Sequence, residues 1–89
     1  MEEDLTHIPD TPFQKGSIIR RLSDSIEWVV YYLKDENVRY VKDQEIFTIL
    51  FYKQYNYHTW DVDLLTTDGL ICTTRATPLD LIQHWEFIL

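Results

Sequence analysis

Apolar and polar positions alternate most clearly in the second half of the chain. The runs "EIFTILFY" at 45–52 and "YHTWDVDLLT" at 57–66 flank the polar "KQYN", and "LICTTR" at 70–75 follows "TDG". Short runs rich in β-branched and aromatic residues, separated by turn formers, predict a three-stranded antiparallel meander. With an even number of residues in the KQYN loop, Phe47, Ile49 and Phe51 share a face with Trp60, Val62 and Leu64. The next turn has two solutions. A two-residue Asp68-Gly69 loop sets Leu65 opposite Cys72 and brings Ile71, Thr73 and Arg75 onto the apolar face. A three-residue loop, with Gly69 left-handed in a G1 bulge, instead pairs Thr66 with Leu70, Leu64 with Cys72 and Val62 with Thr74. One step of slip exchanges the faces, and the second register separates apolar from polar better. It places Leu70 and Cys72 on the core face and leaves Asp61 opposite Arg75, Asp63 opposite Thr73 and Leu65 opposite Ile71 outside. That register is the expectation.

Residues 16–41, "GSIIRRLSDSIEWVVYYLKDENVRYV", admit two readings. Ile18, Ile19, Leu22, Ile26, Val29, Val30 and Leu33 fall at helical spacing, and Asp24 with Glu27 has the form of a capping box. Against a helix, "IEWVVYYL" is almost wholly β-branched and aromatic, which suits a pleated sheet. It is also apolar on both faces, as a strand covered on two sides would be. "SDS" and "KDEN" read as turns on either side. Strands are favoured. The alternative is an α+β fold with a helix over about 17–34 packed on the three-stranded meander. Residues 1–15 carry Pro9, Pro12 and four acidic residues with little periodicity. They are expected to form a flexible acidic arm, and 16–89 a single small domain.

The segment "TPLDLIQHWEFIL" adds a helical element. Thr77 is a good N-cap, Pro78 takes the first helical position and Asp80 falls near the positive end. A short helix or single turn through about 84 should follow, with "WEFIL" as a final strand or apolar tail. The fold class is therefore mainly β: a small, antiparallel, partly open barrel of four or five strands with a short C-terminal helical turn. Such an arrangement is similar to the SH3-like barrels, which include Tudor- and KOW-type modules. The resemblance is one of fold and covers roughly 16–89, and "FQKGSIIRRL" leading into "IEWVVYYL" looks like the opening strands of such barrels. It implies a ligand met by aromatics on the loops of one end.

Composition narrows the function. Eighty-nine residues, 45% hydrophobic and 15% aromatic with two glycines, describe a globular chain with one core. The single cysteine, Cys72, permits no intrachain disulfide, which suits a reducing compartment. The start "MEEDLTHIPD" lacks the basic and apolar regions of a secretory signal, and runs such as "WVVYYL" are too short to cross a bilayer. A soluble protein with no membrane partner, cytoplasmic or nuclear, is expected. Nucleic-acid binders neutralise phosphates with clustered Lys and Arg. Here the net charge is −7, and the eight basic residues are scattered apart from Arg20 and Arg21. Nucleic acid is thus disfavoured as a partner, and an acidic surface that docks on a basic protein gains weight.

Chemistry has few candidates. Asp61, Asp63 and Asp68 could offer oxygens to Mg²⁺ or Ca²⁺, but a long alternating ligand run ending in Glu is missing. Asp61 has an ordinary role opposite Arg75, and Asp68 belongs to the turn. His7, His58 and His84 show no zinc spacing and no cysteine partner. Cys72, on the core face, reads as a small buried apolar residue. Gly16 and Gly69 cannot build a phosphate loop. No catalytic residue, metal or cofactor is expected, and the chain is read as no enzyme. The stretch "YKQYNYHTW" is the better lead. Tyr52, Tyr55 and Tyr57, with His58 beside them, bracket a loop and on this register point away from the core, where aromatics anchor interfaces. Tyr31, Tyr32 and Tyr40 could extend the patch.

The reading is a non-enzymatic protein-interaction or regulatory module that uses this loop patch. One alternative is an acidic inhibitor that imitates nucleic acid on a basic protein surface. Another is a nucleic-acid-binding barrel of KOW or Tudor type, which would need Lys15, Arg20, Arg21 and Arg39 on one face. Homodimerisation is compatible with so small and aromatic a domain.

Overall fold

A computed structural model describes residues 14–88. Apart from Gln14 and Lys15, the arm expected over 1–15 lies outside the described residues. The elements in chain order are β1 (Ile18–Arg21), β2 (Val29–Tyr32), β3 (Val38–Tyr40), β4 (Ile46–Gln54), β5 (Trp60–Thr66), β6 (Ile71–Ala76), α1 (Pro78–His84) and β7 (Trp85–Phe87). The strands form one antiparallel sheet of order β3-β2-β6-β5-β4-β1-β7, curled into a half-barrel. The fold is mainly β. Residues 17–34 are two strands, and the helical alternative is set aside. The strand count is seven among the described residues, against an expectation of four or five. Strand β7 is the final strand that "WEFIL" offered; β3 was not anticipated, and its three residues are too few to show a period.

The β5–β6 hairpin adopts the three-residue register. Leu64 stands opposite Cys72, Val62 opposite Thr74, Asp63 opposite Thr73 and Asp61 opposite Arg75. Thr66 N–H donates to the Leu70 carbonyl at 2.8 Å, and Gly69 holds φ at +90°. That left-handed conformation is one glycine adopts without steric cost. The Thr66 hydroxyl donates to Asp68 at 2.5 Å and accepts from Leu70 N–H at 2.9 Å, so the turn is tied by side chains as well.

Strand β4 departs from the expected alternation. Phe47 pairs with Thr66 and Ile49 with Leu64, but a bulge between Ile49 and Phe51 shifts the register by one. An extra residue in one strand exchanges the faces beyond it. Phe51, expected in the core, is 43% exposed, with the Lys15 ammonium 4.9 Å from its ring centroid. Tyr52, expected outside, turns inward instead and packs edge-on against Trp60, centroids 5.8 Å apart. Leu70, also expected in the core, is exposed at the hairpin rim. Strand β2 is likewise covered on one face only: Val30 is buried, whereas Val29 and Tyr31 face outward.

Ile19, Val30, Phe47, Ile49, Val62, Leu64 and Cys72 fill the concave side. Trp28 and Trp85 meet at 88° with centroids 5.6 Å apart, and Phe47 meets Trp85 at the same distance. Trp28 Nε1 donates to Thr74 Oγ1 at 2.8 Å. Trp85 Nε1 is buried with no oxygen or nitrogen partner among the described residues. Steep ring contacts of this kind let π electrons meet an edge or an N–H. Helix α1 begins as expected. Thr77 Oγ1 accepts from Asp80 N–H at 3.0 Å, and Asp80 accepts from Thr77 N–H at 3.3 Å, a complete capping box. Leu81 seals the core beneath. The segment 41–45 links the two sides of the curl. Val41 N–H reaches the Trp28 carbonyl, Gln44 N–H the Arg21 carbonyl, and Arg21 N–H the Glu45 carbonyl.

Candidate functional site

The β2–β3 hairpin inverts the usual pattern of an edge. Val29 stands opposite Tyr40 and Tyr31 opposite Val38, all four on the outer face, while Arg39 between them turns inward. Its guanidinium donates to both oxygens of Glu45, at 2.9 and 2.5 Å, to the Tyr40 carbonyl at 3.1 Å and to the Tyr32 hydroxyl. Burial works against the Glu45 carboxylate, yet the Arg39 fork and the Lys42 N–H bring it below its ordinary value. The charge of this strand is therefore used inside, and its apolar side chains face water. Val38 is 51%, Tyr31 53% and Tyr40 61% exposed.

Cross-strand pairing extends this face over the sheet. Tyr31 stands opposite Thr73, Thr73 opposite Asp63 and Asp63 opposite Phe51. In the neighbouring row Arg75 stands opposite Asp61, and Asp61 opposite Lys53. Arg75 Nε donates to Asp61 at 2.7 Å, and that bond raises the Arg75 pKa above its ordinary value. The same guanidinium lies 3.5 Å from the centroid of Tyr55, a cation–π stack.

The loop between β4 and β5 lies later than the chain pattern suggested, at 55–59 instead of 53–56, because β4 runs on to Gln54 and β5 begins only at Trp60. Tyr55 and Asn56 N–H groups donate to the Thr59 carbonyl, and the Asn56 side chain accepts from His58 and Thr59 N–H at 2.9 Å each. His58 thus lies in the loop and not in a strand. Tyr57 is 89% exposed, with the His58 ring tilted beside it at 6.3 Å. Of the four expected residues, Tyr55, Tyr57 and His58 lie at this end, and Tyr52 is turned away from them, partly buried against the core. Tyr31 and Tyr40 are exposed on the outer face of the sheet, whereas Tyr32 turns toward Arg39. Aligning "VVYY" with "NVRY" across the KDEN turn is the signal that would have placed Val29, Tyr31, Val38 and Tyr40 together. A cavity of about 420 Å³, bordered by Tyr32, Lys34, Val38, Leu70 and Ile71, opens beside this hairpin.

A second cluster ties β1 to α1. Arg21 is buried and donates to the carbonyls of Leu22, Ile26 and His84 at 2.8, 2.5 and 2.9 Å, and to both Asp24 oxygens. His84 Nδ1 lies 2.8 Å from Asp24 Oδ2. The Arg21 guanidinium, followed by His84 and the Ile26 N–H, holds Asp24 well below the usual carboxylate range. The capping-box form of Asp24 and Glu27 is thus spent on a turn. A carboxylate-oriented imidazole can act as a base, but no hydroxyl or thiol hydrogen-bonds this ring among the described residues. Cys72 is buried away from it, and burial pushes its thiol up to about 11.

The remaining candidates disperse. Arg20 pairs with Glu86 at 2.6 Å, Arg21 is inside, and Arg39 is held by Glu45, so Lys15 and these three do not share a face. The Thr66 hydroxyl lowers the pKa of Asp68. Asp63 is in none of the ion pairs among the described residues. No helix among these residues is long and apolar enough to cross a membrane. No protein-family model, curated protein or solved structure matches the chain.

Proposed function

We propose that the chain is a non-enzymatic interaction module that holds a protein partner against the outer face of its sheet. The observation that carries this is the inversion of β3, where Arg39 turns inward to Glu45 while Val38 and Tyr40 face solvent. An apolar face left uncovered on a small domain commonly marks an interface. Tyrosine suits such a face because it presents a large, stiff ring with a polar tip. On this reading Tyr31, Tyr40 and Tyr55 are the anchors, and Tyr57 with His58 forms a rim. The SH3-like resemblance agrees in kind, since it too implies aromatics beside an end loop.

Replacing Tyr31, Tyr40 and Tyr55 together with Ser, then repeating a pull-down from the native cell, tests the proposal. The wild type should retain a partner that the triple variant loses, while the circular dichroism of the two agrees. Unchanged recovery by the folded variant overturns it.

A further inference from the structure

We propose that the partner side chain seated at the centre of this face is a lysine or arginine, contacted by the carboxylate of Asp63. The inference rests on the interaction-module reading and adds the chemistry of the partner to it. Asp63 lies on β5, the central strand of the seven-stranded sheet, in the row Val38, Tyr31, Thr73, Asp63, Phe51 defined by successive cross-strand pairs. Its neighbours along β5 show how the fold treats a carboxylate that it uses itself: Asp61 receives the Arg75 guanidinium at 2.7 Å. Asp63 receives none, and Lys15, the cation near Phe51, is directed to the ring.

Asp63 is half-buried between Phe51 and Thr73, and such a carboxylate is costly to leave unpaired once water is excluded. A partner covering Tyr31 and Phe51 must therefore supply a counter-charge at this point. The rings on either side favour a cation whose stem packs on them and whose head meets the oxygens. The turn beside the face adds Asp35 and Glu36, and the whole chain carries −7, so the long-range field draws a basic partner as well. A second copy is the poorer occupant, since it brings another −7 to the same surface.

Panning a phage library of random ten-residue peptides against the immobilised full chain tests this. Enriched peptides should carry Lys or Arg beside apolar residues and shift the amides of Tyr31, Asp63 and Thr73 in a ¹⁵N spectrum. Asp63→Asn, nearly isosteric and without a bond to lose, should fold normally and weaken the best peptide about tenfold, as for a charge-assisted contact. Added salt should weaken the wild type more than the variant. Three results would each overturn the inference: no enrichment, enrichment of neutral or acidic peptides, or binding indifferent to Asp63→Asn. So would sedimentation showing a dimer closed through this face. If Tyr31, Tyr40 and Tyr55 prove necessary while Asp63 does not, the interface reading survives and only the basic side chain fails.

Discussion

At the scale of single residues, Arg21 carries the largest structural burden. It is a cation with 2% of its surface exposed, and three carbonyls and a carboxylate converge on it. Arg21→Met would leave those acceptors without a donor and should cost about 2–3 kcal/mol in urea unfolding. Asp24, beside it, makes stability depend on pH. Asp24, Glu45 and Asp68 all have folded pKa values below their ordinary ones. Each therefore contributes stability that is complete above about pH 5 and is lost as the pH falls toward the lowered values. Urea midpoints should drop between about pH 5 and about pH 3, and Asp24→Asn should flatten that drop. A midpoint unchanged by acid in the wild type would contradict the role given to these carboxylates. The Arg21–Asp24–His84 cluster itself was not legible in the chain, because His84 lies 60 positions beyond Asp24 and local spacing carries no trace of such a contact.

Among the elements, the β5–β6 hairpin was readable because turn chemistry and the two-residue period agree on one register. Gly69 is the point on which that register turns. A Cβ there would meet nothing within 4 Å, so Gly69→Ala tests backbone conformation alone. It should cost about 1–2 kcal/mol in urea unfolding, the penalty of a left-handed alanine. A neutral result would mean the turn has another conformation. The cap of α1 was equally legible, and Thr77→Ala should cost about 1 kcal/mol in the same assay. Strand β4 was not. A bulge adds one residue without any compositional sign, so Phe51 and Tyr52 exchanged sides unseen and Tyr52 left the candidate site. The β2–β3 face was missed for a different reason. The pattern offers Tyr31 and Tyr40 as extensions of the loop patch, but it presents "IEWVVYYL" as covered on both faces, while the fold leaves Val29, Tyr31, Val38 and Tyr40 uncovered.

For the molecule as a whole, pairing between distant parts of the chain sets the behaviour. Strand β1 lies between β4 and β7, and the segment 41–45 ties the β3 side of the curl to β1. The strands from β2 to β7 other than β3, together with β1, meet at the shared core, so tryptophan fluorescence and far-UV circular dichroism should report one transition. Separate midpoints would show that the hairpin carrying β3 melts independently. The outward apolar face also has a colloidal consequence. Two molecules at neutral pH repel through their net charge of −7, and this repulsion keeps their bare hairpins apart. Near pH 4.7, where the composition balances positive and negative charge, it should vanish, and the same tyrosines and valines should become adhesive toward one another. Turbidity should peak there, and placing lysine at Val38 and Tyr40 should abolish the peak. The surface proposed to meet a partner thus also sets the acidity at which solutions of the protein should cloud.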